Sequence, residues 1–212
     1  MPEPKFFLFG GVKPWNEHAW IASDDRVRGG KSKSYLVHSV DSSVASFRGD
    51  LDITALGGAG FASQRTVDPQ SWDLFDYHGL RLAIADSDGK KYTLVVKDEI
   101  PPKRSDGRDE STVSWEYDFV PDHGDTIVTV FWSDLKPTYR GKPKPDAKPL
   151  HLENIKRISI MMRRFVSHPS SATSFLKTSL SSNSHFGEQH GPFRLDLSYI
   201  AAIEFDQQTE EG

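Results

Sequence analysis

Apolar residues in this chain recur two positions apart, over and over. Val113, Trp115, Tyr117 and Phe119 alternate strictly with Ser114, Glu116 and Asp118. Leu80, Leu82 and Ile84 alternate with Arg81, Ala83 and Ala85, and Ile158, Ile160 and Met162 with Arg157, Ser159, Met161 and Arg163. Phe193, Leu195 and Leu197 do the same against Arg194, Asp196 and Ser198. Successive side chains leave a strand on opposite faces, so this period marks strands with one face buried. No window carries the i, i+3, i+4, i+7 spacing of a long amphipathic helix. Short strands separated by turns at intervals of about ten residues predict an all-β sandwich or barrel.

Composition fits one such domain spanning residues 1–212, with its core over about 15–205. Apolar residues make up only 36%, but 13 Phe, 6 Tyr and 5 Trp supply large buried areas. A net charge of -4 and a pI near 6.1 argue against a nucleic-acid partner, whose footprint is basic. There is no cysteine, hence no disulfide, thiolate nucleophile or cysteine-held zinc. The first apolar run, Phe6 to Phe9, is too short for a secretory core or a membrane span. No Arg- and Ser-rich presequence is present at the start of the chain.

Further segments complete the expected order. Met1 to Gly11 reads as an edge strand or apolar plug. Tyr35 to Phe47 reads as a strand ending in a turn at Phe47-Arg48-Gly49. Ser71 to Leu74 reads as a helical turn capped by Ser71. Asp88-Gly89 reads as a hairpin turn into Tyr92 to Val96. Thr126 to Trp132 is denser in apolar residues and reads as a strand buried on both faces. Leu74 to Leu80 and Leu150 to Ile155 resemble each other, as a shared local device. Pro101 to Glu110 reads as a loop, and proline-rich Pro137 to Pro149 as a semi-rigid extended one. Ser-rich Ser167 to His190 reads as a mobile insertion and Gln207 to Gly212 as a frayed tail.

The densest polar chemistry lies in Ser23-Asp24-Asp25-Arg26-Val27-Arg28-Gly29-Gly30-Lys31-Ser32-Lys33-Ser34. Gly29-Gly30-Lys31-Ser32 resembles a phosphate loop, but Asp25 stands where that motif needs its first glycine, and a strand follows where it needs a helix. Gly57-Gly58-Ala59-Gly60 lacks dinucleotide-binding spacing. Two readings remain: a charged structural turn, or a polar recognition loop presented by a rigid scaffold. Asp24-Asp25 as ligands for calcium is a minor third option. The eight histidines show no helical zinc spacing. Glu110, Glu116, Asp118 and Asp134 are available as carboxylates for glycosidase chemistry, with Glu116 expected on a solvated face. No Gly-x-Ser-x-Gly elbow is present. Trp115, Trp132 and Tyr139 are candidates for a sugar-stacking face or for the core, the core being favoured. The residues thus identify no catalytic group, metal or cofactor.

Several blocks occur together in order: Ser23 to Ser32, Leu56 to Arg65, Ser111 to Phe119, Lys136 to Gly141, Ile155 to Met162, and Gly191-Pro192-Phe193. Across Trp15 to Phe205 the chain resembles the complex I intermediate-associated thirty-kilodalton protein family. That resemblance implies a galactose-binding-like jelly-roll sandwich and a non-enzymatic assembly factor. Such a factor chaperones subunits and intermediates of mitochondrial respiratory complex I, and meets a membrane only through partners. Mitochondrial residence follows from the resemblance; a cytoplasmic location is the alternative, since no presequence is evident. The Ser-rich Ser167 to His185 stretch interrupts the family pattern. The expected partner-binding face combines Asp24, Asp25, Arg26, Arg28, Gly29, Gly30 and Lys31 with Tyr139 and Arg140. The alternative is a carbohydrate-binding module on the same fold.

Overall fold

A computed structural model describes residues 2–38, 43–68, 70–103, 105, 110–164 and 189–205. The chain forms two antiparallel sheets packed face to face, a jelly-roll sandwich. Its strands are β1 (Glu3–Gly10), β2 (Trp20–Ala22), β3 (Lys33–His38), β4 (Ala45–Leu51), β5 (Phe61–Thr66), β6 (Gly79–Ser87) and β7 (Tyr92–Lys97). They continue with β8 (Val113–Phe119), β9 (Thr126–Phe131), β10 (Lys136–Tyr139), β11 (Lys142–Pro143), β12 (Arg157–Arg163) and β13 (Gly191–Glu204). One sheet runs β3-β4-β13-β6-β9, with β1 joining β13 beyond β4; the other runs β11-β10-β8-β7-β12-β5-β2.

The alternation explains the layers. Leu80, Leu82 and Ile84 of β6 meet Tyr92, Leu94 and Val96 of β7 and Ile158, Ile160 and Met162 of β12 in one core. Phe47, Phe193 and Tyr92 pack as an aromatic cluster, with ring centroids 5.0 Å apart for Phe47–Phe193. Fully burying side chains of this size stabilises by about 1.5–3 kcal/mol each. Trp115 and Tyr117 pack against the same core, and Trp132 fixes itself by donating its indole N–H to the Tyr77 carbonyl at 2.7 Å.

Several local expectations change. Arg48 and Gly49 lie inside β4 and make no turn. A Cβ at Gly49 would sit 2.0 Å from the Lys33 carbonyl oxygen, so glycine serves close strand approach there. Asp88-Gly89 is no hairpin, because β6 and β7 belong to different sheets. The turn crosses the sandwich, held by Asp88 accepting from Lys90 N–H, the Tyr92 hydroxyl and Arg194 N–H. Ser71 caps no helix; its hydroxyl faces the Asn154 side chain at 3.0 Å. The two look-alike segments are each other's partners, with Trp72 bridged to Ile155 and Leu74 N–H bonded to the Leu152 carbonyl at 2.8 Å. β9 is not buried on both faces: it is an edge strand with Ile127 53% exposed. Pro137 to Pro149 is not simply extended, since Arg140 (φ 53) and Gly141 (φ 75) turn β10 into β11 as a tight hairpin.

Gln189 docks just ahead of β13. Its amide donates to the carbonyls of Lys91 and Arg163 and its Oε1 accepts from Lys91 N–H, stitching β7 to the end of β12. Most of Ser167 to His190, and Gln207 to Gly212, lie outside the described residues.

Tyr92 yields a pH prediction. Its hydroxyl donates to Asp88 Oδ1 at 2.8 Å, and burial pushes the phenol far above its ordinary 10.0. The unfolded chain ionises this phenol near the ordinary value, while the folded chain keeps it protonated. Stability is therefore intact below pH about 10 and falls above it, by up to about 1.4 kcal/mol per pH unit. Urea midpoints across that range should decline, and Tyr92→Phe should flatten the alkaline limb.

Candidate functional site

The motif at Asp24 and Asp25 sits where the two sheets come open beside each other. β2 pairs with β5 only through Trp20–Thr66, Ile21–Arg65 and Ala22–Gln64. Ser23 N–H adds one more bond to the Ser63 carbonyl at 2.7 Å, and the backbone then turns away. From there the carboxylates take over the ladder. Asp24 Oδ1 accepts from Ser63 N–H at 3.0 Å and the Ser34 hydroxyl at 2.6 Å, while Oδ2 accepts from Ser34 N–H at 3.1 Å. Asp25 Oδ1 accepts from Ser32 N–H at 3.1 Å, and Oδ2 from the Ser32 hydroxyl at 2.8 Å and Phe61 N–H at 3.0 Å.

The spacing carries the logic. Ser32 and Ser34 are two apart at the start of β3, and Phe61 and Ser63 are two apart on β5. Alternate residues of a strand present N–H groups to the same edge, so two neighbouring carboxylates can serve both edges at once. Asp24 and Asp25 therefore staple one sheet to the other. Gln64 adds a third tie, donating to the Ser34 carbonyl and hydroxyl, each at 3.0 Å. Asp24 is 4% exposed and Asp25 0%, so in this conformation neither offers a carboxylate to a partner. Their oxygens face N–H and O–H donors, the opposite of a cation shell, which removes the calcium option. Among the described residues no group of three or more His, Asp or Glu stands together for a metal.

Both glycines serve this staple differently. Gly29 takes φ 89, ending the 3-10 turn Asp25–Arg28 with its N–H on the Arg26 carbonyl at 3.0 Å. Gly30 is needed for space: a Cβ there would lie 2.2 Å from the Asp25 carboxyl carbon.

The turn lifts the remaining residues outward. Arg26, Arg28 and Lys31 are exposed, and Val27 at the crest is 66% exposed. Arg26 keeps only a 3.5 Å contact to Asp24, and Arg28 lies over the Phe61 ring at 5.7 Å. Asp52 lies below, its carboxyl lowered by bonds from the Thr54 hydroxyl and backbone N–H, with Lys31 contributing.

Tyr139 and Arg140 lie elsewhere. They form the tip of the β10–β11 hairpin, with Arg140 stacked on Tyr139 at 5.3 Å and bonded to the Ser111 hydroxyl at 3.2 Å. β8, β7 and β12 separate β10 from β5, so four strand spacings, about 19 Å, intervene. The expected single face thus splits into a basic knuckle at one sheet edge and a hairpin tip at the other.

Between them, the outward face of the seven-stranded sheet carries a paired polar network that sequence reasoning missed. Arg163 bonds Glu116 at 2.7 Å and Asp118 at 3.1 Å, Asp118 also meets Lys91 at 3.5 Å, and Thr138 donates to Glu116 at 2.7 Å. Glu116, expected to be solvated, is 9% exposed because these neighbours enclose it. Strand register alone brings them together, and single-strand alternation does not reveal it.

The family model for complex I intermediate-associated protein 30 (CIA30) matches residues 7–197. The chain belongs to that family. It is 42% identical over 203 residues to the uncharacterized protein C9E9.15 of Schizosaccharomyces pombe, covering 92% of this chain and 83% of that protein. Among solved structures, the family 11 carbohydrate-binding module of the cellulosomal cellulase Lic26A-Cel5E of Clostridium thermocellum superposes with a TM-score of 0.54. Identity there is 13%, with 98% of each chain covered, and the likeness is one of fold.

The staple is the source of a stability prediction. Asp24→Ala orphans two buried N–H groups and should destabilise by about 2–4 kcal/mol in urea unfolding. Gly30→Ala should cost about 2 kcal/mol or more through its clash with Asp25. Arg26→Ala should stay within about 0.5 kcal/mol of the parent. Equal losses in all three would refute the division into a buried staple and an exposed knuckle.

Proposed function

We propose that the chain is a non-enzymatic scaffold that binds subunits or assembly intermediates of respiratory complex I in mitochondria. Its contact surface is the basic knuckle of Arg26, Val27, Arg28 and Lys31. Family membership supports the process. The observation that supports the surface is the staple beneath it: two buried carboxylates hold a short cationic turn rigid, with an apolar crest. A pre-ordered turn loses little entropy on binding. Arginines make forked bonds to carboxylates, so the matching partner surface is acidic.

The solved neighbour is a carbohydrate-binding module. Sugar binding leans on aromatic platforms, and on this chain Trp115 and Trp132 pack against the core. Tyr139, the third candidate, is exposed at the hairpin tip, but Arg140 lies over its ring at 5.3 Å, so the three aromatics form no open platform and no specific feature favours that second reading.

The test is co-purification from mitochondria of cells carrying tagged protein. Arg26→Ala with Arg28→Ala should lower recovery of complex I subunits about tenfold or more with the unfolding midpoint unchanged. Undiminished recovery would overturn the knuckle as the contact surface. Absence of any complex I subunit with the parent protein would overturn the process itself.

A further inference from the structure

β9 ends the six-stranded sheet, and no other named element runs along its outer side. Its sequence, Thr126-Ile127-Val128-Thr129-Val130-Phe131, has no charge, proline or glycine. Natural edges are normally blunted by such residues or covered. The hydrogen bonds show which backbone groups stand open. Trp132 N–H bonds the His78 carbonyl at 3.2 Å, so even-numbered residues face β6. Phe131 N–H instead faces outward, where the Asp134 carboxylate caps it at 3.0 Å. By alternation, the N–H and C=O groups of Ile127 and Thr129 point away from the sheet. Asp134 closes one end of this open ladder, and the turn at Asp122 to Asp125 closes the other. Asp122 and Asp125 are both exposed.

We propose that this edge receives a short extended segment of a protein partner as an added antiparallel strand, neutral in its middle and basic at its ends. Alternating donors and acceptors at strand spacing are matched by another strand's backbone. The flanking carboxylates select cationic ends. They also disfavour a second copy of this chain: pairing Ile127 with Thr129 of a symmetric mate sets Asp122 opposite Asp134. A six-residue edge alone also falls well short of the roughly 1,200 Å² typical of stable dimers. The strand-accepting edge is separate from the basic knuckle and does not depend on it.

Hydrogen exchange on the full chain tests this, with acetyl-Lys-Thr-Val-Thr-Val-Thr-Lys-amide as probe. In the free protein the Ile127 and Thr129 amides should exchange fast while Val128 and Val130 are protected. Saturating probe should slow Ile127 and Thr129 by about tenfold or more, and a Glu-flanked version should bind more weakly at low salt. Thr129→Pro removes an N–H that the protein's own ladder does not use, and should abolish the protection. Ile127→Lys, at an exposed site, should do so with the fold intact. Arg26→Ala with Arg28→Ala should leave it unchanged. Amides already slow in dilute free protein, or no slowing with the probe, would overturn the proposal. So would protection that follows protein concentration together with a doubled mass, which would assign the edge to a second copy.

Discussion

Two adjacent carboxylates close this sandwich. A jelly roll leaves strand edges open wherever the chain crosses between sheets, and unpaired backbone groups there are costly once shielded from water. At the start of β3, and at the Phe61–Ser63 end of β5 beyond its pairing with β2, no named strand continues the ladder. Asp24 and Asp25 supply acceptors instead, at the spacing a strand would have provided. The motif reads as surface chemistry because it is charged, yet its charges are the part the fold hides. Its glycines follow from the same need, one for backbone handedness and one for room beside the carboxylate.

The sheet architecture was legible because one-sided burial imposes a period of two on each strand. The Val113 to Phe119 and Ile158 to Met162 patterns map directly onto β8 and β12. Turn chemistry was less transferable. An Asp-Gly pair carries the same local signal whether it joins neighbours in one sheet or crosses between sheets, as at Asp88-Gly89. The dense run at β9 reads as doubly buried, because apolar content alone does not distinguish a central strand from an unprotected edge.

The candidate site was legible in part for a similar reason. Charge density located the Asp24 to Lys31 turn, but which charges point inward depends on N–H groups of residues 61 and 63, distant in sequence. Grouping Tyr139 and Arg140 with that turn required knowing the strand order, which places them at the opposite edge of the sheet. The Arg163–Glu116–Asp118 network is a product of register among three strands. Family membership points to complex I assembly, and the geometry assigns separate physical tasks to residues that the motif presents as one block.

Gln189 has a consequence for how this family can diversify. Arg164 N–H bonds the Gly60 carbonyl at 3.1 Å, and Gln189 bonds the Arg163 carbonyl, so the chain departs and returns at one spot. Both anchors are made by residues on either side of 165–188 and rest on the sandwich itself. Segments inserted between these anchors can change in length and composition while every strand keeps its register. Doubling the excursion costs only about 0.6 kcal/mol of loop entropy. The pair of anchors thus decouples the register of β12 and β13 from the length of chain that joins them.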